Sequence, residues 1–387
     1  MKLTPEAILP VDADAACLVG RVWRPSPVDG PSVVVLAPDQ TLIDISARYP
    51  TLSHLFETSN PAEAAREAGA AGEPAGSLAD ALAGTGGLRL LAPADLQALK
   101  AAGVTFVRSM LERVIEERAA GDASAAEAIR RAISAEIGGS LADVVPGSER
   151  AAKAKESLIR QGLWSQYLEV GIGPDAEVFT KAPPMAAVGL GADVGIHPRS
   201  AWNNPEPEVV LAVNSRGETV GATLGNDVNL RDFEGRSALL LGKAKDNNAS
   251  CAIGPFVRLF DAGFGIDDVR RAVVSLRVEG EDGFVLEGRS SLSEISRDPL
   301  DLVSQTIGAT HQYPDGFLLF TGTMFAPVED RDAPGQGFTH KIGDIVTIAS
   351  ERLGALVNRV DHADKVAPWT FGARALMENL ARRGLLR

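Results

Sequence analysis

Two glutamates and an aspartate occupy positions where a strand that only had to pack would carry apolar residues. Glu206 and Glu208 stand one residue apart in WNNPEPEVVLAV, and Asp227 follows in TLGNDVNLRD after a hairpin with NSRGE at its turn. Side chains alternate faces along a strand, so the two glutamates point the same way, with Cβ atoms roughly 7 Å apart. Because carboxylates this close repel each other, water, a cation or a shared proton must compensate their charge.

Pairing of the two hairpin strands would return Asp227 to the side of Glu206 and Glu208. Three carboxylates suit a hard divalent cation, which favours Mg²⁺ or Mn²⁺ first and Ca²⁺ next. The set contains no histidine or cysteine, which disfavours zinc. The alternative interpretation is a solvated strand edge, which prolines 205 and 207 at the strand start fit equally well.

A pair of lysines follows in LLLGKAKDNNASCAIGP. The apolar run predicts a strand that carries Lys243 and Lys245 on one face. A lysine reached through an apolar element and placed near a metal site is a candidate proton shuttle. The alternative is a pair of surface lysines that neutralise nearby acids.

Composition limits the classes of partner. The 387 residues include 38 basic and 51 acidic side chains, for a net charge of −13, which argues against nucleic acid or an anionic membrane as partner. An anionic substrate would need a local positive centre. The two cysteines predict no disulfide framework and favour the cytoplasm. The N-terminus predicts no signal peptide, and no stretch is apolar enough to span a membrane.

The chain divides by pattern into two predicted domains. Residues 1–168 predict a smaller α+β domain that begins with the strands ACLVGRVWRP and PSVVVLAP. An amphipathic helix is predicted within residues 93–121, with Asp95 as its N-cap and Gly121 as its end. Its apolar face would carry Val104, Val107, Leu111, Val114 and Ile115.

Three further stretches of this domain have distinct patterns. Residues 124–139 and 150–170 have helical spacing. The alanine- and glycine-rich stretch PAEAAREAGAAGEPAGSLADALAGTGG predicts a flexible surface segment.

Residues 169–387 consist of short β-like runs separated by Gly, Pro, Asn and Asp. This pattern predicts a compact, largely antiparallel sheet structure rather than βαβ units. One helix is predicted in LDLVSQTIGATHQYP, ending before Pro314. The fold class expected for the whole chain is therefore α+β.

Five segments together resemble the fumarylacetoacetate hydrolase superfamily in order and spacing. They are KAPPMAAVGLGADVGIHP, NNPEPEVVLAV, GNDVNLRD, GKAKDNNASCAIGP and FLLFTGTMFAP. The resemblance covers roughly residues 170–350. With its asparagine-rich turn and long N-terminal region, the chain is similar, more narrowly, to bacterial 2-keto-3-deoxy-D-pentonate (xylonate or arabinonate) dehydratases.

The resemblance implies a catalytic domain of mixed β-roll type over residues 169–387, with Mg²⁺ held by the residues that match Glu206, Glu208 and Asp227. It implies Lys245 rather than Lys243 as the catalytic lysine, because the count back from Gly254-Pro255 aligns Lys245 with the family lysine.

The segments EVFTKAP and FTGTMFAP add further implied roles. Glu177 matches a glutamate implicated in catalysis in these dehydratases. Thr323 matches a threonine that contacts the carboxylate end of the substrate, and Lys181 is implied as a second substrate-binding residue.

The function implied is that of a hydro-lyase that converts a 2-keto-3-deoxy sugar acid to 2,5-dioxopentanoate in non-phosphorylating pentose oxidation, as in D-xylose degradation. A homodimer or homotetramer is expected. The hydrolases of the family carry a His-x-x-Glu pair that activates water shortly before the metal motif, whereas His54 and Glu57 form the only such pair here, some 150 residues too early. This departure favours elimination over hydrolysis.

Two alternatives stay open at the level of sequence. An acylpyruvate hydrolase or oxaloacetate decarboxylase of the same superfamily would share the metal and the lysine. A non-catalytic protein would use the carboxylates as a structural cation site.

Overall fold

The computed structural model of the protein describes residues 3–25, 27–106, 144–160, 162, 164–323, 329–332 and 337–386. The predicted helix positions Val107, Leu111, Val114, Ile115 and Gly121, and the predicted helix at 124–139, lie outside these ranges. Among the described helices, none combines the length and the apolar character that crossing a membrane requires.

A large mixed sheet forms the centre of the described structure. Its strands follow the order β4-β3-β2-β1-β13-β11-β10-β16-β6-β7, and β5 also pairs with β1. The pairs are antiparallel except for β16 with β6. The strands of this sheet are β1 (Leu18–Arg24), β2 (Gly30–Leu36), β3 (Thr41–Asp44), β4 (Glu73–Ser77), β5 (Arg89–Leu91), β6 (Ala98–Gly103), β7 (Glu177–Ala182), β10 (Pro207–Val213), β11 (Thr219–Asp227), β13 (Cys251–Leu259) and β16 (Phe317–Phe320).

Two further sheets complete the β structure of the described residues. A five-stranded sheet has the order β15-β14-β17-β18-β8, and the short strands β9 and β12 pair with each other. These strands are β8 (Asp193–Ile196), β9 (Asn203–Asn204), β12 (Asn229–Leu230), β14 (Val273–Glu279), β15 (Val285–Ser291), β17 (Ile345–Ser350) and β18 (Gly354–His362).

Short helices cover the edges of these sheets. They are α1 (Pro5–Ile8), α2 (Leu52–Phe56), α3 (Pro61–Ala71), α4 (Leu78–Ala83), α5 (Glu149–Arg160), α6 (Gln166–Ile172), α7 (Arg231–Glu234), α8 (Leu241–Lys245), α9 (Ile266–Arg270), α10 (Pro299–Thr306) and α11 (Ala373–Arg382). Helices α5 and α6 confirm the helical spacing of residues 150–170. Helix α10 confirms the existence of the helix predicted in LDLVSQTIGATHQYP, but its predicted end at Pro314 is wrong, because the backbone becomes extended at Ile307. The α+β class is confirmed by the mixture of these helices with the large sheets.

Strand pairing joins the two parts of the chain that the sequence predicts as domains. Strand β1 pairs with β13, and β6 lies between β16 and β7. Residues on both sides of the predicted boundary at 168/169 therefore share one hydrogen-bonded sheet. The division into domains 1–168 and 169–387 stays a prediction.

The helix predicted within residues 93–121 is wrong at its beginning. Ala98–Gly103 forms strand β6, with Leu99 and Ala101 fully buried. Its neighbours β16 and β7 supply hydrogen-bond partners on both edges, so tertiary pairing overrides the helix propensity of LQALKAA. Asp95 caps a different helix: its carboxylate accepts from the N–H groups of Leu52 and Ser53 at the start of α2.

The alanine- and glycine-rich stretch predicted as flexible is ordered. It forms α3, β4 and α4, and Ala62, Ala65 and Ala68 of α3 are buried. Side chains of Asn60 and Ser77 cap the N-termini of the two helices. The small alanines let α3 pack closely on strand β2, a contact that composition alone does not reveal.

We expect Asp95→Ala to destabilise the fold. The Asp95 carboxylate is 1% exposed and accepts from Leu52 N at 2.6 Å, from Leu96 N at 2.8 Å and from Ser53 N at 3.3 Å. Loss of a buried charged acceptor costs about 2–5 kcal/mol of unfolding free energy. Urea unfolding followed by fluorescence would measure the change.

The matched control is Asp39→Ala, which removes an exposed carboxylate that accepts only from the turn N–H of Thr41. We expect that control to change the unfolding free energy by less than about 0.5 kcal/mol. Equal midpoints for the two variants would contradict the capping role of Asp95.

Candidate metal and catalytic site

The hairpin β10–β11 brings the three predicted carboxylates together. In its register Glu208 lies opposite Gly225, and Pro207 lies opposite Asn226. The backbone N–H of Asp227 donates to the carbonyl of Glu206 at 3.1 Å, and the Asn226 side chain accepts from the Glu206 N–H at 3.1 Å. The return strand therefore ends beside the glutamates, as the sequence predicts.

The three acids form one compact cluster. One oxygen from each of Glu206, Glu208 and Asp227 lies within 4.8 Å of the others. Glu208 and Asp227 are 2% and 1% exposed, so solvent cannot disperse their charge. Burial, together with the charges of Asp227 and Glu206, raises the pKa of Glu208 well above its usual range. A solvated strand edge, the alternative at the sequence level, is excluded by this burial.

A backbone amide holds Glu208 in place. The N–H of Gly322 donates to Glu208 Oε2 at 2.6 Å, from a backbone with φ of +90° that favours glycine. A methyl group at position 322 would also overlap the hydroxyl of Thr105, which bonds to the carbonyl of Thr321. Thr323, predicted to contact substrate, follows directly and is half-buried.

The predicted strand that carries Lys243 and Lys245 is wrong. These residues belong to helix α8, where a spacing of two residues directs side chains to opposite sides. Lys243 is exposed and stands over the Phe233 ring, whereas Lys245 is buried against the acids. The helix therefore separates the two lysines, and only Lys245 reaches the site.

Lys245 forms the electrostatic link between two of the carboxylates. Its Nζ lies 2.5 Å from Glu206 Oε2 and 3.1 Å from Asp227 Oδ2. Burial alone would lower the pKa of Lys245, but the charges of Asp227, Glu206 and Glu234 outweigh it and raise the pKa well above its usual range. These two contacts and the raised pKa favour the ammonium form of Lys245.

Lys181 is a second buried lysine in contact with the cluster. Its side chain is fully buried, and its Nζ lies 2.8 Å from Asp227 Oδ1. The same ammonium donates to the carbonyls of Val228 and Lys245, with the Ser250 hydroxyl also in reach. These protein acceptors use its three N–H groups, so the geometry supports a role in positioning Asp227, and the substrate contact implied by the resemblance stays a prediction.

Glu177 stands at the beginning of β7, with Phe179 and Lys181 on the same face of the strand. Strand β6 places Gly103 opposite it, and a methyl group at Gly103 would overlap the Glu177 carboxylate. Burial, with a contribution from Glu234, raises the pKa of Glu177. Phe179 packs under the Lys245 ammonium, with Nζ 5.6 Å from the ring centre.

Two polar residues of the site were not predicted from the sequence. Asn229 Nδ2 donates to Glu206 Oε1 at 3.0 Å and to Glu234 Oε2 at 2.6 Å. Glu234 thereby becomes a fourth carboxylate near the cluster, and its charge acts on the pKa of Glu177 and Lys245. The available signal was the polar pattern of NDVNLRDFE, in which Asn229 follows Asp227 at the strand spacing of two residues.

The residues present fit a divalent cation. The donors are three carboxylate oxygens within 4.8 Å of one another, those of the buried Glu208 and Asp227 and of the partly exposed Glu206, with no histidine or cysteine in the group, which is the set that hard cations such as Mg²⁺ prefer. Burial first, and then the charges of Asp227 and Glu206, raise the pKa of Glu208, and a bound cation would offset both effects by favouring the carboxylate. Glu206, Glu208 and Asp227 would hold it.

The sequence matches the family described as fumarylacetoacetate (FAA) hydrolase, C-terminal, over residues 157–361, more than half of the chain. It is 32% identical over 213 residues to a probable 2-keto-3-deoxyxylonate dehydratase of Haloferax volcanii, covering 55% of this chain and 68% of that protein. It is 29% identical over 190 residues to the 2-dehydro-3-deoxy-D-arabinonate dehydratase of Saccharolobus solfataricus, covering 49% of this chain and 60% of that protein.

Solved structures share the fold. The apo form of a 2-keto-3-deoxy-D-arabinonate dehydratase superposes with a TM-score of 0.58 at 21% identity, covering 89% of this chain and 99% of that one. The same enzyme complexed with magnesium and 2,5-dioxopentanoate gives a TM-score of 0.56 at 20% identity and the same coverage.

We expect Mg²⁺ to stabilise the protein, and to do so more strongly at pH 8 than at pH 5.5. Because the folded-state pKa of Glu208 is raised above that of the unfolded chain, the metal-free fold loses stability as pH rises between these two values. A bound cation compensates that charge at high pH, whereas protons compete with it at low pH. Melting temperatures with and without MgCl₂ at the two pH values measure the effect.

The matched variant is Glu208→Gln, which removes one carboxylate and keeps the side-chain size. It should melt at a higher temperature than the wild type in metal-free buffer at pH 8, and it should lose most of the response to Mg²⁺. A wild-type protein whose melting temperature ignores Mg²⁺ at both pH values would exclude the metal site.

Proposed function

The chain belongs to the fumarylacetoacetate hydrolase family, and from this membership and the geometry of its site we propose that it is a Mg²⁺-dependent hydro-lyase. The proposed substrate is 2-keto-3-deoxy-D-pentonate, the xylonate or arabinonate form, and the proposed product is 2,5-dioxopentanoate. The observation that carries the proposal is the cluster of three carboxylates, two of them buried, in which the ammonium of Lys245 joins Glu206 to Asp227. The reaction would serve non-phosphorylating pentose oxidation.

Two comparisons support this choice of substrate. The relatives with detectable sequence similarity are named as dehydratases of 2-keto-3-deoxy pentonates. A protein of the same fold binds magnesium together with 2,5-dioxopentanoate. We propose Mn²⁺ or Ca²⁺ as substitutes for Mg²⁺, since the same carboxylate donors accept either ion.

The metal would supply Lewis-acid chemistry at the carboxylate and 2-keto oxygens of the substrate, making the C3 proton more acidic. Glu206, Glu208 and Asp227 would hold it. Thr323, beside the Gly322 amide that holds Glu208, is the proposed contact for the carboxylate end of the substrate.

Lys245 is the proposed base for the C3 proton. Its ammonium holds its proton because Glu206 and Asp227 lie 2.5 Å and 3.1 Å away. When a divalent cation balances those carboxylates, their hold on the proton weakens while burial continues to favour the neutral amine. The neutral amine then accepts the C3 proton.

Glu177 is the proposed acid for the C4 hydroxyl. Burial and the negative charge of Glu234 raise its pKa, so its carboxyl keeps a proton to a higher pH than an exposed glutamate does. Transfer of that proton to the C4 hydroxyl releases water. The unsaturated 2-keto acid then tautomerises through the C4–C5 enol to the aldehyde.

The position of the His-x-x-Glu pair supports the choice of elimination over hydrolysis. His54 bonds to Thr51, and Glu57 bonds to Ser215 and Arg216 at the turn of the β10–β11 hairpin. The carboxylate cluster lies at the other end of these strands, about 20 Å away at the rise of an extended chain. The only His-x-x-Glu pair of the sequence is therefore remote from the site, which favours the dehydratase over a hydrolase that relies on such a pair.

The direct test is incubation with MgCl₂ and racemic 2-keto-3-deoxypentonate. We expect 2,5-dioxopentanoate, detected by mass spectrometry, and loss of its formation when EDTA is added. Turnover of acylpyruvates or oxaloacetate without turnover of the pentonate would instead identify another reaction of the same family. Binding of Mg²⁺ with no turnover of any 2-keto acid would identify a structural cation site.

Lys245→Met should reduce kcat by at least about 1,000-fold, because a positioned general base contributes a rate factor of about this size and methionine cannot accept a proton. The variant should still bind Mg²⁺, since Lys245 supplies no ligand oxygen. Lys243→Met is the matched control, because Lys243 is exposed on the opposite side of the same helix. Near-normal turnover by Lys245→Met with bound Mg²⁺ would remove Lys245 from the mechanism.

A further inference from the structure

Two asparagines face each other across the short sheet beside the carboxylate cluster. In the register of β9 and β12, Asn204 lies opposite Asn229. Side chains directly opposite in an antiparallel pair stand on the same face, about 5 Å apart at their Cβ atoms. Asn229 also contacts Glu206, so this face borders the proposed metal site.

Their hydrogen bonds fix which end of each amide is free. Asn229 directs its amide nitrogen at two carboxylates, Glu206 and Glu234, and the opposite orientation would set its oxygen against both negative charges. Asn204 donates from its amide nitrogen to the carbonyl of Pro205 at 2.9 Å. In both residues the side-chain oxygen is therefore the atom left to accept.

Neither oxygen has a hydrogen-bond partner among the described residues. Asn204 and Asn229 are 1% and 3% exposed, and both Oδ1 atoms are shielded from solvent. A buried acceptor without a donor is unfavourable by about 1–3 kcal/mol, so a group outside the protein must supply the O–H. Neither a carboxylate nor a keto oxygen has a hydrogen to give, whereas a hydroxyl does.

We propose that Asn204 Oδ1 and Asn229 Oδ1 form a subsite for the hydroxyl groups at the distal carbons of a polyhydroxylated 2-keto acid. The inference rests on the proposed function and adds the feature that selects the substrate class. The metal-binding end of a 2-keto acid is common to acylpyruvates, oxaloacetate and sugar acids. Only the sugar acids carry hydroxyl donors at C4 and C5 for the two oxygens.

Selection arises mainly from the penalty for the wrong ligand. A 2-keto acid with a methyl or methylene group at this position would bury both oxygens unpaired, and sites of this kind reject the analogue that lacks the hydroxyl. The C5 hydroxyl gives the clearest readout, because the reaction keeps the oxygen on C5, whereas it removes the hydroxyl on C4 as water.

The test compares 2-keto-3-deoxy-D-pentonate with its 5-deoxy analogue, 4-hydroxy-2-oxopentanoate, on the Mg²⁺-loaded protein. We expect kcat/KM to be on the order of 100-fold higher for the pentonate in the wild type. In Asn204→Ala the preference should fall at least tenfold, through slower turnover of the pentonate with the 5-deoxy analogue little changed. Asn229→Ala carries the same expectation for the preference, with weaker Mg²⁺ binding in addition.

The matched control is Asn203→Ala. Asn203 is the neighbouring residue on the other face of β9, and its side chain is already used by Ser200 and by the N–H of His340. This control should keep the wild-type preference. Circular dichroism and the Mg²⁺-dependent melting shift show whether each variant is folded.

The outcomes distinguish a failure of the hydroxyl subsite from a failure of the proposed function. An unchanged preference in both folded variants, Asn204→Ala and Asn229→Ala, would mean that the two oxygens hold only water, and the inference would be wrong. If the wild type turns over neither compound, the proposed function fails, and the ratio of the calorimetric Kd values of the two compounds replaces kcat/KM as the readout. A tenfold loss of that ratio in Asn204→Ala would then still support a hydroxyl subsite.

Discussion

Charge balance in a buried place is the constraint on which the rest of this structure depends. Glu208 and Asp227 are almost completely buried, and Glu206 is partly exposed beside them. Without nearby positive charge, the repulsion between these carboxylates would force them to take up protons or to move into solvent. Two ammonium groups, those of Lys181 and Lys245, supply positive charge from opposite sides of Asp227. A divalent cation at this site could therefore replace part of the positive charge that the two ammonium groups supply.

The architecture around the cluster follows from that constraint. The hairpin β10–β11 fixes the spacing of the acids, and β16 leads into the glycine whose amide holds Glu208. Strand β7 carries both Glu177 and Lys181. The Lys181 ammonium forms an ion pair with Asp227 and donates to the carbonyl of Lys245 at the end of helix α8. Glu208, Asp227, Lys245 and Glu177 lie in helices or strands, and Glu206 directly precedes β10, as catalysis by oriented groups requires.

Glu234 and Asn229 give the site a second level of control. Burial, with the negative charge of Glu234, raises the pKa of Glu177, while Asn229 separates Glu234 from Glu206 by donating to both. The same two donations leave the amide oxygen of Asn229 as the atom that can accept. The hydrogen bonds of Asn229 to the two acids therefore also orient the acceptor that we propose for substrate. In this way charge balance and the proposed substrate selection are physically coupled.

Local sequence patterns were sufficient to predict the α+β class, the β10–β11 hairpin and the convergence of its three carboxylates, because alternation along a strand and the length of a hairpin are local properties. They were also sufficient for a family resemblance that the match over residues 157–361 confirms.

Tertiary structure decided the rest. Ala98–Gly103 became a strand because β16 and β7 flank it, and the alanine-rich segment after residue 60 became ordered because its small side chains pack on β2. Helix α8 sent Lys243 outward and Lys245 inward. Burial placed Lys181 against Asp227, and the pairing of β9 with β12 brought Asn204 and Asn229 face to face. These outcomes depend on neighbours distant in the chain, which supply the hydrogen bonds, charges and exclusion of water that no local pattern contains.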